Sequence, residues 1–253
     1  TPEDVGGIEA GSNFSANGEG PIAITDLITR LLYPYQEPAF SAFSIDGQAS
    51  LIECGIEIPQ NITFVWTTTN SSNVVADSID IEDAGVADNN FQAIIQDTAD
   101  DSTEAHDLGG PITRATPGRR RFKIKGTNNK QPVAGEFNRT FTVTWGLQVY
   151  YGTSADAVLP NGFDFNTMSS ILKTAYAATY QFPGAANEYK YIAIPKVWAG
   201  ANGAIAWTDT MTSFNVPNSF QAEVTIQRHG VDTVYNIYRS DNQLGAAMSI
   251  AIA

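Results

Sequence analysis

Hydrophobic and polar positions alternate with a period of two along most of this chain, and follow a helical period in two short places. Ile24, Leu27, Ile28, Leu31 and Leu32 fall at i, i+3, i+4, i+7 and i+8. That spacing predicts an amphipathic helix of about two turns, capped by Thr25 or Asp26 and stopped by Pro34. A second stripe, Met168, Ile171, Leu172 and Ala175, predicts another short helix with Asn166 or Thr167 as its cap. Elsewhere the pattern is that of strands. Phe43 and Ile45 alternate, then Leu51 and Ile52 open an apolar strand. Ile62, Phe64 and Trp66 share one face, among β-branched Thr63, Val65 and Thr67. Further strands are expected at 74–81 and 91–95. Phe122 and Ile124 alternate with Arg121, Lys123 and Lys125, which is a half-buried strand with a basic outer face. Phe141, Val143, Trp145, Leu147 and Val149 form a longer period-two run.

Turn chemistry separates these runs. The stretches 70–73 (NSSN) and 128–132 (NNKQP) are turn material, and 97–110 (DTADDSTEAHDLGG) reads as a polar loop. About seven short strands within ~110 residues point to an antiparallel sandwich of immunoglobulin type, without the Cys…Trp…Cys signature of antibody domains. The second half opens near Tyr150 and turns at Asn161-Gly162. Strands are expected at 179–182, 188–194 and 220–226, with a weaker one at 204–207. The 220–226 strand folds back through a tight turn at His229-Gly230 onto 231–239, and 246–253 closes the chain. The fold class expected is mainly β: two tandem antiparallel β-sandwich-like domains, the first Ig-like, with one short helix preceding or within each. Residues 1–20 contain five glycines and no periodicity, and are expected to be an extended arm. The first domain then spans 21–149 and the second 150–253.

Charge changes this picture. The 253 residues carry 14 Lys+Arg against 27 Asp+Glu, a net charge of −13. Residues 1–113 hold 19 acids and one base, whereas 114–139 hold eight bases and one acid. Residues 140–253 are nearly balanced, with five bases and seven acids. The acidic total argues against a general nucleic-acid binder, which needs a net basic face. Apolar runs such as 191–194 are too short to span a bilayer, so no membrane insertion is expected. No signal-like run opens the chain and no Met begins it, which suggests a mature or trimmed form. The basic cluster of Arg119, Arg120, Arg121, Lys123 and Lys125 has two readings. It is either self-compensated by the acids between Asp77 and Asp107, or a charge-matched subunit interface.

Candidate chemistry is sparse. The single cysteine, Cys54, excludes an internal disulfide and lies in a strand pattern, as a core filler does. His229 reads as a turn residue. His106 lies among Asp100, Asp101, Glu104 and Asp107, oxygens that suit a hard cation, but the spacing is not that of an EF-hand and a solvated loop is the simpler reading. The pairs Asp77/Asp80 and Glu82/Asp83 have no geometry that sequence alone assigns to glycoside hydrolysis. No GxSxG, P-loop, HExxH or GxGxxG motif occurs. No catalytic residue, metal or cofactor is expected. Ten Tyr, thirteen Phe and four Trp remain, suited to filling two cores, to an interface or to a sugar-binding face.

Several stretches in order carry a resemblance: LLYPYQEPAFSAFSI, ITFVWTTTNSSNV, RRRFKIKGTNN, FNRTFTVTWGLQVYYGTS, ATYQFPGAANEYKYIAIP, TSFNVPNSF and VYNIYRSDNQLGAAMSIAI. Over residues 24–253 this succession resembles virion structural proteins of tailed bacteriophages, of the crAss-like and podovirus type, with an Ig-like module before a β-rich C-terminal module. The resemblance implies a non-enzymatic virion component: a tail or head fibre, an adaptor or a capsid decoration protein. Its partners would be itself, as a homo-oligomer, and other virion proteins. An alternative is a carbohydrate-binding or host-adhesion module, with Tyr189, Tyr191 and Trp198 facing a host surface glycan.

Overall fold

The computed structural model describes residues 32, 34–85, 90–98, 102–130, 133–160, 162–182, 187–199, 205–245 and 247–253. The arm expected at 1–20 lies outside them, as does all but Leu32 of the first helical stripe. The fold is mainly β. The chain divides into two interleaved compact units. Unit 1 comprises Thr1–Gln48, Asn61–Leu108 and Arg120–Thr142, and unit 2 comprises Ala49–Gln60, Gly109–Arg119 and Val143–Ala253. Where the sequence pattern places one junction, at 149/150, the chain crosses between units five times.

Unit 1 contains β1 (Ala39–Ile45), β3 (Asn61–Thr69), β4 (Ile79–Asp83), β5 (Gln92–Thr98), β6 (Thr103–Asp107), most of β7 (Gly118–Thr127) and the start of β8 (Glu136–Ser154). One sheet has the order β1-β3-β6, and the other runs β5-β4-β7-β8. The two sheets pack in a β-sandwich-like arrangement. Alternation along each strand supplies the core. Phe43 and Phe64 stack at 5.7 Å within the first sheet, and Phe64 meets Phe122 of the second edge-on at 5.4 Å. Two expectations are corrected here. The 97–110 loop contains strand β6, because Asn61–Val65 of β3 offers it an edge. The strand expected over 74–81 is interrupted by Asp77, whose φ of 52° turns the chain before β4.

Unit 2 is built on a sheet ordered β13 (Asn218–Arg228), β14 (Val231–Ser240), β11 (Tyr189–Pro195) and β8. β2 (Leu51–Glu53) and β9 (Ser169–Lys173) also pair with β8, β2 in parallel. Both faces are buried along β11 and the adjoining parts of β8 and β14, which is why those stretches read as near-continuous apolar runs, whereas β13 at the edge keeps its alternation. On one face Val149, Ile192, Ile194 and Tyr238 pack against a second sheet of β10 (Ala178–Phe182), β15 (Met248–Ile252) and β12 (Trp207–Asp209). On the other, Tyr150, Tyr191, Tyr235 and Ile237 pack against Phe165. The hairpin β13–β14 turns through His229 and Gly230, both at positive φ (47° and 75°), the two-residue geometry that matches strand twist.

The second predicted helix is also corrected. Asp164 caps a single 3-10 turn, Phe165–Thr167, by accepting from the Asn166 N–H, and residues 169–173 then continue as β9. Pairing with β8, from Leu147↔Lys173 to Tyr151↔Ser169, overrides the helical spacing of Met168, Ile171 and Leu172. One four-residue helix, α1 (Lys196–Ala199), follows β11. No helix among the described residues is long and apolar enough to cross a membrane.

Candidate functional site

The basic strand of unit 1 meets its acids within the same unit. β4 and β7 are antiparallel neighbours in the register Asp80↔Lys125 and Glu82↔Lys123, so outward-facing side chains of opposite sign stand directly across from each other. Lys123 Nζ lies 2.6 Å from Glu82, and Lys125 Nζ lies 2.9 Å from Glu82 and 3.4 Å from Asp80. Arg120 pairs with Asp83. Arg121 and Lys123 also sit over the Phe91 ring, at 5.1 and 4.8 Å from its centroid. Arg119 is an exposed residue of β7, grouped with unit 2. Of the five cations for which the sequence leaves internal pairing or a subunit interface open, Arg120, Arg121, Lys123 and Lys125 have partners inside unit 1.

This ladder is pH-sensitive in a defined direction. Burial pushes the Glu82 carboxyl up, but Lys123 and Lys125 together outweigh that and hold it below its ordinary value of 4.5. A depressed carboxylate stabilises the fold above the unfolded value and loses that contribution as pH falls through the folded one. The hydrogen bond to Glu82 is the main reason that Lys125 is raised above 10.5, so its contribution is complete below 10.5 and fades above it. Melting temperature should therefore fall on the acid side of pH 4.5, and Glu82→Gln should flatten that limb. Parallel melts of the two proteins from pH 7 to 3 test this, and identical acid limbs would refute it.

The three aromatics proposed to face a glycan are not brought together. Tyr191 is 1% exposed, lies in the Tyr150–Tyr235 cluster and donates its hydroxyl to the Asp156 carbonyl at 2.7 Å. Tyr189 is half-buried with the Arg239 guanidinium 4.6 Å from its ring centroid. Trp198 packs against the cluster on the opposite face of the sheet. Tyr191 is a core residue because the sheet that carries it is covered on both sides.

A charged centre that the sequence pattern does not reveal lies in unit 2. Glu53, buried at the end of β2, faces Arg228 Nε at 2.7 Å and His229 Nε2 at 3.3 Å, and accepts from Gln148 Nε2 at 3.2 Å. The backbone beside it is equally tight. A Cβ on Gly55 (φ 90°) would lie 2.5 Å from the His229 carbonyl oxygen. Trp145 Nε1 donates to the Ile56 carbonyl at 2.8 Å. Cys54 next to it is buried, and burial pushes its thiol up to about 11, so it stays protonated at neutral pH. Both Glu53 oxygens are engaged, and the arrangement clasps segment 49–60 to the β13–β14 hairpin. Within LIECGIEI, Glu53 reads as one polar position in an apolar strand, and its partners lie far away in sequence. Among the described residues no group of three or more His, Cys, Asp or Glu is placed to hold a metal ion, and Asp100 and Asp101 lie outside them.

Among the described residues, the most exposed apolar side chains also belong to unit 2. Trp207 and Val216 are buried and joined by a backbone hydrogen bond of 2.8 Å, and between them Thr208 and Asn215 form a bridge. The loop above is braced from inside. Asp209 accepts from the Met211 N–H at 3.0 Å and the Thr212 hydroxyl at 2.7 Å, and its own N–H donates to the Phe214 carbonyl at 3.0 Å. The Thr212 hydroxyl first, and then the Met211 N–H, hold the Asp209 carboxyl below its ordinary value. On this loop Met211 is 86% and Phe214 74% exposed. The sequence signal was available: TDTMTSFN places two large apolar residues in an otherwise polar turn. Unit 2 also holds a concavity of about 290 Å³, with Pro117, Leu147, Val197 and Val234 on its wall beside Lys196 and Asp232. Val197 is 65% exposed. Comparison with protein-family models, with curated proteins and with solved structures returns no match to this chain.

Proposed function

We propose that this chain is a non-enzymatic structural component of a tailed-phage particle: a tail or head fibre, an adaptor or a capsid decoration protein. It acts by homo-oligomeric assembly and by contacts to other virion proteins. The observation that carries the assembly reading is the braced loop that holds Met211 and Phe214 in water. Exposed apolar anchors fixed in place before binding reduce the ordering cost of association. The ordered succession of strand and turn motifs over residues 24–253 carries the virion reading. The adhesion alternative rested on Tyr189, Tyr191 and Trp198, which are placed on two faces of a covered sheet.

Mass measurement of the purified chain, with and without residues 1–20, tests the proposal. Association with itself or with purified phage components is expected, and a monomer that binds neither overturns it. Salt gives a second test. With Arg120, Lys123 and Lys125 paired inside unit 1, assembly should not weaken as salt rises, whereas a charge-matched interface weakens steeply. Sedimentation at low and high salt reads the difference.

A further inference from the structure

We propose that Met211 is a reversible oxidation site: a peroxide converts its thioether to the sulfoxide ahead of the other two methionines, and does so on the folded chain. The inference stands apart from the assembly reading, because it concerns the free chain and needs no partner surface. The chain has three methionines, and the fold treats them differently. Met248 opens β15 and packs against the core cluster that contains Trp207 and Tyr238. Met168 packs against the Tyr150–Phe165 cluster, with its sulfur 3.6 Å from the place a Cβ on Gly152 would take. Met211 is 86% exposed on its loop.

Access decides the order of reaction. The oxidant arrives from solvent, and sulfoxidation passes through a charge-separated transition state that water stabilises. The S–O bond forms as the O–O bond of the peroxide breaks. The sulfur-bound hydroxyl then gives its proton to the departing hydroxide, which leaves as water. Sulfur loses two electrons and the peroxide gains them.

The loop is built to survive the change. Its shape is held by the Asp209 N–H on the Phe214 carbonyl at 3.0 Å, the Ser213 N–H on the Asp209 carbonyl at 2.8 Å and the Thr210 N–H on the Ser249 carbonyl at 2.9 Å. The Thr212 hydroxyl on the Asp209 carboxylate adds a fourth bond at 2.7 Å. Met211 supplies only its backbone N–H, to the same carboxylate at 3.0 Å. None of these bonds uses the thioether, so the new oxygen adds an acceptor in water and removes no contact. At Met248 the same oxygen would be a polar group pressed into an apolar cluster, at a cost to the fold. Methionine sulfoxide is returned to the thioether by reductases, one for each epimer. They reach Met211 without any unfolding. Oxidation thus switches the most exposed apolar side chain among the described residues to a polar one and back.

Dilute hydrogen peroxide on the full chain at neutral pH, followed by peptide mass mapping over time, tests this. The Met211 peptide should gain one oxygen several times faster than the Met168 and Met248 peptides. In urea the three rates should converge, which assigns the difference to the fold. The chain oxidised at Met211 alone should keep the wild-type melting temperature and elute earlier from a hydrophobic-interaction column. The two reductases together should remove the oxygen without denaturant. Met211→Leu, close in volume and at an exposed position, should melt with wild type and lose the fast phase of oxidation. Equal rates in the folded chain, or a lead for Met168 or Met248, overturn the inference. So does a Met211 advantage that persists in urea. A melting temperature that falls on oxidation of Met211 alone, or a sulfoxide that the reductases repair only after unfolding, overturns the claim that the folded chain completes the cycle.

Discussion

Glu53→Ala is expected to lower the stability of unit 2 by about 2–4 kcal/mol. Breaking a buried ion pair by removing one partner typically costs ~3–5 kcal/mol, because the other charge is stranded. The Arg228 side chain is 34% exposed and can partly rehydrate, which moves the expectation about 1 kcal/mol below that range. Gln148 and His229 lose their acceptor at the same time. Urea unfolding should show the midpoint falling with little change in slope. Glu53→Gln keeps an acceptor oxygen but not the charge, and should fall between. If the clasp acts as a unit, Glu53→Met/Arg228→Met should cost less than the two single changes added. A Glu53→Ala midpoint within error of wild type would show that the clasp contributes nothing.

Gly146→Ala should be at least as damaging, for a reason of space. Gly146 sits in the middle of β8, with β2 pairing at Glu53↔Gly146 and β9 arriving at Leu147↔Lys173. A Cβ at Gly146 would be built onto the carbonyl oxygen of Lys173, a backbone atom that cannot swing aside. Overpacking typically costs ~1–3 kcal/mol, and a backbone collision belongs at or above the top of that range. The variant should lose hydrogen-exchange protection first at residues 169–173, as β9 peels from β8, and should melt well below wild type. Gly110→Ala is the control: nothing lies within 4 Å of its Cβ, so that change should be neutral or slightly stabilising. Equal melting temperatures for the two variants would contradict the account.

The strands were legible in the sequence because one rule produces most of them. Ile62, Phe64 and Trp66, or Phe122 and Ile124, alternate because one face is core and the other is not. The same alternation made the basic face of β7 visible, and the acids between Asp77 and Asp107 supplied a partner, but only register decides that Glu82 stands opposite Lys123. The rule fails where both faces are covered. Tyr189 and Tyr191 look alike in YKYIAIP, yet one is half-buried under Arg239 and the other is sealed in. It fails again at 168–175, where an available edge of β8 decides the conformation rather than local spacing. Glu53 was illegible for a third reason: its meaning lies in Arg228 and Gln148, partners that only the folded chain supplies.

The interleaving of the two units has a consequence for how such a chain can change over generations. Segments 49–60 and 109–119 leave the strand succession of unit 1 to complete unit 2. A single genetic crossover at any of the three inner junctions therefore splits both units, and one at 48/49 or 142/143 keeps only one of them whole. A recombinant that received only 143–253 would arrive with Arg228 and without Glu53, and with the Val234 wall of the concavity but not Pro117. Lineages that trade parts by cutting once between modules would have to inherit this pair whole to keep both units.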